Sequence, residues 1–569
     1  MANRIQLRRG TAAQWAAANP VLAQGEPGIE TDTGKQKFGN GVTAWNLLSC
    51  ASQGPAGPAG APGVADDASV EDLITTPGTA TATALNATYG PSAASLRDAF
   101  GQVVTTSHEI PAAFGWPTDS KVALAPTLTT MRGGRVVGTA GVAPKALFAR
   151  FSQAQANPVN RFYASPAGND SNAGTFAAPW RSIKKCIEAA NAAGASARIL
   201  VTSGSYLNGQ GFEGVSPTVD TAFVAAGGPV LVGNGMPTAN YTFASHATYT
   251  KTYYINPTPT GGVSRVLDLS RVTEFGNPVE LVKVANETIC NETPDSYYEG
   301  SALYIHRRDG AQPTAANTRV LVTAVNLTVT SEVNVYVGSE DGSPWTMEGS
   351  ANVQTTPAAD PAVAIFAIAT PTNAALKAIV AESVKFRFGG EELATTPGNG
   401  VSIEHWHGIV AFFNCGADAN AKDGFNAHNG LNAATTSLVL TVNCGGDDNG
   451  RKAQSANGLT LHENVTAIDV AGRFVRGRGG TVHNIGTSKH YMLGPYVADD
   501  LGDIAAGGNI PPAAMMLQNT AQMWIERGSG RMPAGTYFYW AKDAGTKFYL
   551  KDCEPVAQPF AGLGTYSNF

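Results

Sequence analysis

The chain has 569 residues, only 14% of them charged, and a net charge of −6; this excludes nucleic acid as a main partner, because phosphate binding needs a basic face. Its longest apolar run, Ala362 to Ala369, is too short to cross a bilayer, so no membrane insertion is expected. The opening "MANRIQLRRG" lacks the apolar core of a secretory signal, so an extracellular role is expected to require export by lysis or as part of a particle. Six widely spaced cysteines without a Cys-x-x-Cys pair read as reduced, mostly buried thiols. Abundant Gly, Ala, Thr and Asn with sparse Glu and Lys point to short strands joined by tight turns, a mainly β chain.

The first segment, residues 1–50, is dense in turn signals: Asn19-Pro20, Glu26-Pro27-Gly28, Asp32-Thr33-Gly34 and Gly39-Asn40-Gly41. Short alternating runs lie between them, with Trp15, Leu22, Ile29, Phe38 and Trp45 as apolar anchors, too few for a lone stable unit. Through "LRRGTAAQW", "GEPGIETDTGK" and "FGNGVTAWN" it resembles the small N-terminal module of bacteriophage tail fibres, also found on the major tropism determinant. The resemblance implies attachment to phage tail or baseplate proteins through this end.

Residues 51–64 contain "GPAGPAGAPG", with glycine at 54, 57, 60 and 63. Only glycine fits at the axis of three wound polyproline chains, so Gly54, Gly57, Gly60 and Gly63 predict a short collagen-like stalk and a parallel homotrimer; a flexible linker is the alternative. Residues 65–160 read as an irregular linker or shoulder.

From Arg161 a strand, a polar loop, a helix and a strand follow in order. Ser182 stands before Ile183, Cys186, Ile187 and Ala190, an apolar stripe at helical spacing, and Gly194 supplies the stop. This order resembles the opening of pectate-lyase-like right-handed parallel β-helices, in which such a helix covers the open end of the coil. "SALYIHRRDGAQP" (residues 301–313) looks like a segment recurring in such proteins. Short β-runs broken by Gly, Asn and Asp continue to about residue 500 without a fixed period. The predicted architecture is therefore a right-handed parallel β-helix over 161–500 in an elongated homotrimer, with strands in 501–569 closing the distal end.

Two stretches inside the coil repeat one another. "NCGADANAKDGFNAHN" (414–429) and "NCGGDDNGRKAQSANGLTLHEN" (443–464) both run from Asn-Cys-Gly to a His. As consecutive turns they would stack Cys415 on Cys444, Phe425 on Leu459 and His428 near His462, about one strand spacing apart; "GGTVHNIG", ending near His483, is a weaker echo. Read as scaffold, the His positions satisfy turns. Read functionally, Asp418, Asp423, Asp447, Asp448, Arg451, Lys452 and Glu463 would form an exposed strip suited to sugar hydroxyls. Asp423, Asp447, Asp448 and Glu463 are then candidate acids, with His428 or His462 as proton shuttle. Trp406, Tyr491, Tyr496, Trp524 and Trp540 are candidates for stacking on sugar faces. His405 and His407 would share a strand face, but no third ligand is evident, so neither a metal nor a cofactor is expected.

The expected function is that of a virion tail spike or fibre acting at the host cell surface by binding a glycan or glycolipid. A depolymerase of that glycan, hydrolase or lyase, is the alternative, and a purely structural virion component a third.

Overall fold

In the computed structural model the described residues are 8–48, 104–131, 136–207, 209–259, 262–322, 327–349, 364–369, 375–390, 398–429, 437–450, 456–502, 512–533, 536–554 and 560–569. The collagen-like run Gly54–Gly63 and the pair Arg451 and Lys452 lie outside them. The chain divides into two units, Met1–Ala84 and Leu85–Phe569.

In the first unit Thr11 caps the helix Ala12–Ala18 reciprocally with Gln14, and Asn19 ends it in the left-handed conformation. Arg8–Gly10, Pro27–Glu30 and Gln36–Phe38 form a three-stranded sheet. Trp15 stacks on Trp45 with ring centroids 3.9 Å apart, and Leu22 is buried with them. A Cβ at Gly28 would lie 2.4 Å from the Trp45 ring, so only glycine fits there. Phe38, expected as an anchor, is exposed instead.

The second unit is built on a parallel β-helix with three sheets. The first collects Asn160–Ala164, Val335–Ser339, Lys377–Glu382, Gly408–Phe413, Ser437–Val442, Thr466–Val470, Lys489–Leu493, Gln522–Glu526 and Lys547–Lys551, joined in parallel through the long strands Ala197–Leu207 and Thr221–Gly233. The second holds Trp345–Glu348, Val384–Arg387, Gly416–Asp418, Gly445–Asp447, Arg473–Val475, Tyr496–Ala498 and Ser529–Arg531. The third runs from Leu327–Val329 through Asn399–Glu404, Phe425–His428 and Leu459–Leu461 to Phe560–Gly562. Parallel pairing continues to Thr565–Asn568. The distal strands expected to close the coil therefore extend it.

The corner between first and second sheets explains the repeated Asn-Cys-Gly. Ser383, Asn414, Asn443, Ala471, Arg527 and Asp552 all take positive φ there, between 51° and 56°, a conformation Asn tolerates better than most residues. The next residue turns inward, so Cys415 and Cys444 are buried in the coil interior. A second set of left-handed residues, including Ala419, Asp448, Arg476 and Asp499, ends the second-sheet strands. The helix Ile183–Ala193 forms as its stripe predicts, with Ser182 accepting from the Lys185 N–H and Gly194 left-handed.

Two additions depart from the coil. Residues 104–152, expected to be irregular, contain an antiparallel sheet of Val104–Ser107, Thr127–Thr130 and Val136–Thr139 and the helix Pro144–Ala149. This shoulder packs on the outer face of the first sheet through Phe114 against Trp524 and Phe148 against Tyr336. A Cβ at Gly138 would lie 2.4 Å from Val470, and the Gly138 N–H donates to Asn443 Oδ1 at 2.7 Å. First-sheet strands are thus apolar on both faces, as covered parallel strands are. Between Thr221–Gly233 and the first third-sheet strand, a mainly antiparallel insertion carries its own core of Met236, Phe243, Val266, Leu281, Tyr297, Leu303 and Ile305. The 301–313 segment lies in it and is no coil of the helix.

Candidate functional site

Side chains two apart on a strand share a face, and the second sheet's register lines them into outward columns. One column runs Lys385, Gly416, Gly445, Arg473, Tyr496, Ser529. Beside it stand Arg387 and Asp418 in one row, and Asp447 and Val475 in another. Two glycines between Lys385 and Arg473 leave a gap in the first column, and Asp418 and Asp447 look along it. The gap belongs to a groove of about 640 Å³. Val136 and Val137 of the shoulder and Phe275 of the insertion also line it.

Charge is arranged around the acids. Lys385 Nζ lies 3.2 Å from Asp418 Oδ2, and Arg473 pairs with Asp447 Oδ2. The Asp447 N–H donates to Asp418 Oδ1 at 3.1 Å, tying consecutive coils together. Burial, reinforced by the Asp418 charge and opposed by Arg473, pushes Asp447 up to about 7. Burial also raises Asp418, against the pull of Lys385. Asp447 Oδ1 is buried and has no hydrogen-bond partner among the described residues. With Oδ1 sealed, Asp447 meets a bound molecule only through Oδ2, the oxygen it shares with Arg473; held near its neutral form it can give a proton there, and its neighbour, with its own cation, can accept one. Arg473 and Arg476 lie over the Phe275 ring, at 6.0 and 5.2 Å from its centroid, so the rim of the groove is basic and aromatic.

The other predicted residues separate from this groove. Asp423 is sealed inside the coil, where it accepts from the Asn457 N–H at 2.8 Å and Asn426 Nδ2 at 2.9 Å; it is scaffold, not part of an exposed strip. Asp448 serves the left-handed turn after its strand. Trp406 and Tyr491 are fully buried, and Trp524 nearly so, because both faces of their strands and turns are covered; the Tyr491 hydroxyl donates to Glu526 at 2.9 Å. None of the three can stack on a sugar. Tyr496 does reach the groove, 36% exposed. His405 sits on a left-handed turn after Asn399–Glu404, not on a strand shared with His407.

His428, His462 and Glu463 gather at a different edge, where the third sheet turns. The two imidazoles stack with centroids 3.8 Å apart and planes 13° from parallel. His428 Nδ1 lies 3.4 Å from Glu463 Oε2. His483 does not join them: it is buried and level with Thr460 in the register. Lys385 and Phe275 were not among the sequence candidates, whereas Arg473 opens "RFVRGRGG" (473–480), a locally basic stretch readable either as a contact for an acidic glycan or as a solvated rim. The aligned Gly416 and Gly445, outward-facing and unfilled, were the signal that could have located the groove.

Comparison with known proteins bears first on the N-terminus. Residues 5–43 match the family described as Major tropism determinant N-terminal domain, so the reading of this segment as a phage tail module stands. A 45-residue stretch, 8% of the chain, is 44% identical to the hyaluronoglucosaminidase of Streptococcus pyogenes phage H4489A and covers 12% of that protein. Among solved structures, a glycoside hydrolase is similar over 72% of this chain and 96% of its own, with 12% identity and a TM-score of 0.44. A pectate lyase is similar over 73% and 82% of the respective chains, with 12% identity and a TM-score of 0.32. The tailspike of Acinetobacter baumannii bacteriophage AP22, in complex with A. baumannii capsular saccharide, is similar over 68% and 69%, with 9% identity and a TM-score of 0.23.

Proposed function

We propose that the protein is a phage tail spike or fibre that holds a host surface glycan in the groove of the second sheet. The observation that carries this reading is the gap over Gly416 and Gly445, flanked by Asp418, Asp447, Lys385 and Arg473. Carboxylates and cations at fixed separations suit hydroxyl-rich, charged saccharides, and Tyr496 offers a ring for stacking. The N-terminal module attaches the protein to the tail, and the glycine period at 54, 57, 60 and 63 supports a trimer. Three grooves would convert weak sugar contacts into avid adsorption. The purified protein is expected to bind host cells and their extracted envelope polysaccharide, with a trimeric mass by light scattering; a monomeric mass would remove the trimer from the reading.

A second reading, cleavage of the same glycan, is favoured by one observation: adjacent carboxyls whose surroundings differ, Asp447 beside Arg473 and raised to about 7, Asp418 beside Lys385. Asp447 would then act as general acid and Asp418 as base or nucleophile. New reducing ends or unsaturated sugars on incubation with the polysaccharide, abolished by Asp447→Asn while cell binding is kept, would establish cleavage. Absence of products with binding retained leaves adsorption alone.

A further inference from the structure

The edge cluster of His428, His462 and Glu463 is separate from the groove and unused by the function proposed above. Its ligand atoms all lie within 4.8 Å of one another. Two ligands of a tetrahedral ion, each bonded at about 2.0–2.2 Å, stand roughly 3.3–3.6 Å apart, and His428 Nδ1 and Glu463 Oε2 are already 3.4 Å apart. The stacking brings the second imidazole alongside the first, and a rotation of the His462 ring out of the stack is what would turn its in-plane lone pair onto a shared ion.

Backbone contacts hold each group in place. The His462 N–H donates to Ala427 O at 2.8 Å, which fixes the two histidines in register on consecutive coils. Glu463 occupies a left-handed turn with φ 50°, packed closely on Gly486, where a Cβ would come within 2.7 Å of it. The Asn429 N–H donates to Glu463 Oε2 at 3.1 Å and aims the carboxylate back across the coils.

An ordinary ion pair accounts for His428 and Glu463 but leaves His462 unexplained. Among the described residues its imidazole makes no hydrogen bond, only the stack on His428. A half-buried imidazole with no partner for its lone pair is a donor awaiting an acceptor.

We infer that His428, His462 and Glu463 form a binding site for one borderline divalent transition ion, such as Zn²⁺ or Co²⁺, that bridges two consecutive coils. Two imidazoles and one carboxylate are the donor set such ions prefer over Mg²⁺ or Ca²⁺, which take oxygen ligands. Three protein ligands leave one coordination position open at the protein edge.

The test is titration of the full-length, metal-stripped protein with ZnCl₂ by calorimetry and with CoCl₂ by visible absorption. One saturable site per chain is expected, with Co²⁺ giving the intense absorption of a tetrahedral N/O site and MgCl₂ giving no heat. His462→Ala and Glu463→Gln should each weaken Zn²⁺ binding by about tenfold or more. Circular dichroism should show the same β spectrum for both variants, since neither side chain supports the core. No saturable Zn²⁺ uptake, or uptake that His462→Ala retains in full, would overturn the site. An octahedral Co²⁺ spectrum unaltered in Glu463→Gln would overturn the assigned ligand set.

Discussion

Asp447 and Asp469 are both pushed up to about 7, yet one faces out of the second sheet and the other is enclosed behind the first. Asp469 is fully enclosed in the coil, where Thr441 Oγ1 donates to it at 2.6 Å and the Gly472 N–H at 3.1 Å; burial alone raises it. Asp447 lies beside a gap, with a second carboxylate and a guanidinium competing over it. Equal proton affinities therefore carry unequal meaning. A raised carboxyl marks a site only where a molecule can reach it and where a second charge has been set beside it.

The largest effect is expected on the enclosed side. Asp423→Ala strands the donors of Asn457 and Asn426 inside the coil and should destabilise the protein by about 2–4 kcal/mol in urea unfolding, whereas Asp447→Asn should leave the midpoint nearly unchanged. An Asp423→Ala midpoint equal to wild type would show that the interior carboxylates are not scaffold.

Asp469 gives the next largest effect, through pH. Its folded proton affinity exceeds its unfolded one, so its stabilisation is complete below the ordinary carboxylate range near pH 4. It is lost as pH rises through about 7. Over that window the slope approaches about 1.4 kcal/mol per pH unit for one proton. Asp469→Asn should flatten the stability curve between pH 4 and 7 and unfold at higher urea than wild type at pH 8.

On the open side, Gly416→Leu should fill the gap without disturbing the coil. A Cβ there meets Asp418 Oδ2 at 3.4 Å and Lys385 Cε at 3.5 Å, ordinary contacts. Polysaccharide affinity measured by surface plasmon resonance should fall by at least about tenfold, or 1.4 kcal/mol, with an unchanged unfolding midpoint. The smallest effect belongs to the exposed pair Arg531 and Asp499: Arg531→Ala should shift neither midpoint nor affinity, because such surface pairs are screened by water.

Much of the coil was legible in the sequence because its signal is local and repeated. Gly416 pairs with Gly445 and Phe425 with Leu459, as the alignment of the two Asn-Cys-Gly stretches requires. The helix from Ile183 to Ala193 followed from its cap and stripe. The site was harder to read, for a physical reason. In a coil every strand has an inner and an outer face, and the outer face is covered in some places by the shoulder and the insertion. Asp418 and Asp423 look alike in sequence, but one lines a groove and the other is sealed in. Trp406 and Tyr491 look like surface aromatics until their covering elements are placed. Lys385 and Arg473 come from strands on either side of the repeated stretches, and only the strand register brings them to the two glycines. The absence of a fixed period has the same origin: pairs such as Gly408 with Ser437 and Thr466 with Lys489 mark coils of unequal length.

The recurring left-handed corner, occupied in turn by Ser383, Asn414, Asn443, Ala471, Gly494 and Arg527, makes each coil begin its second-sheet strand at a similar angle whatever residue stands there. The groove is consequently a ruler. One more coil inserted between the Gly416 and Gly445 rows would lengthen the floor by a single strand spacing, about 4.8 Å, without altering either end. A lineage could therefore refit this surface to a longer or differently decorated saccharide by duplicating a coil, leaving the core chemistry untouched.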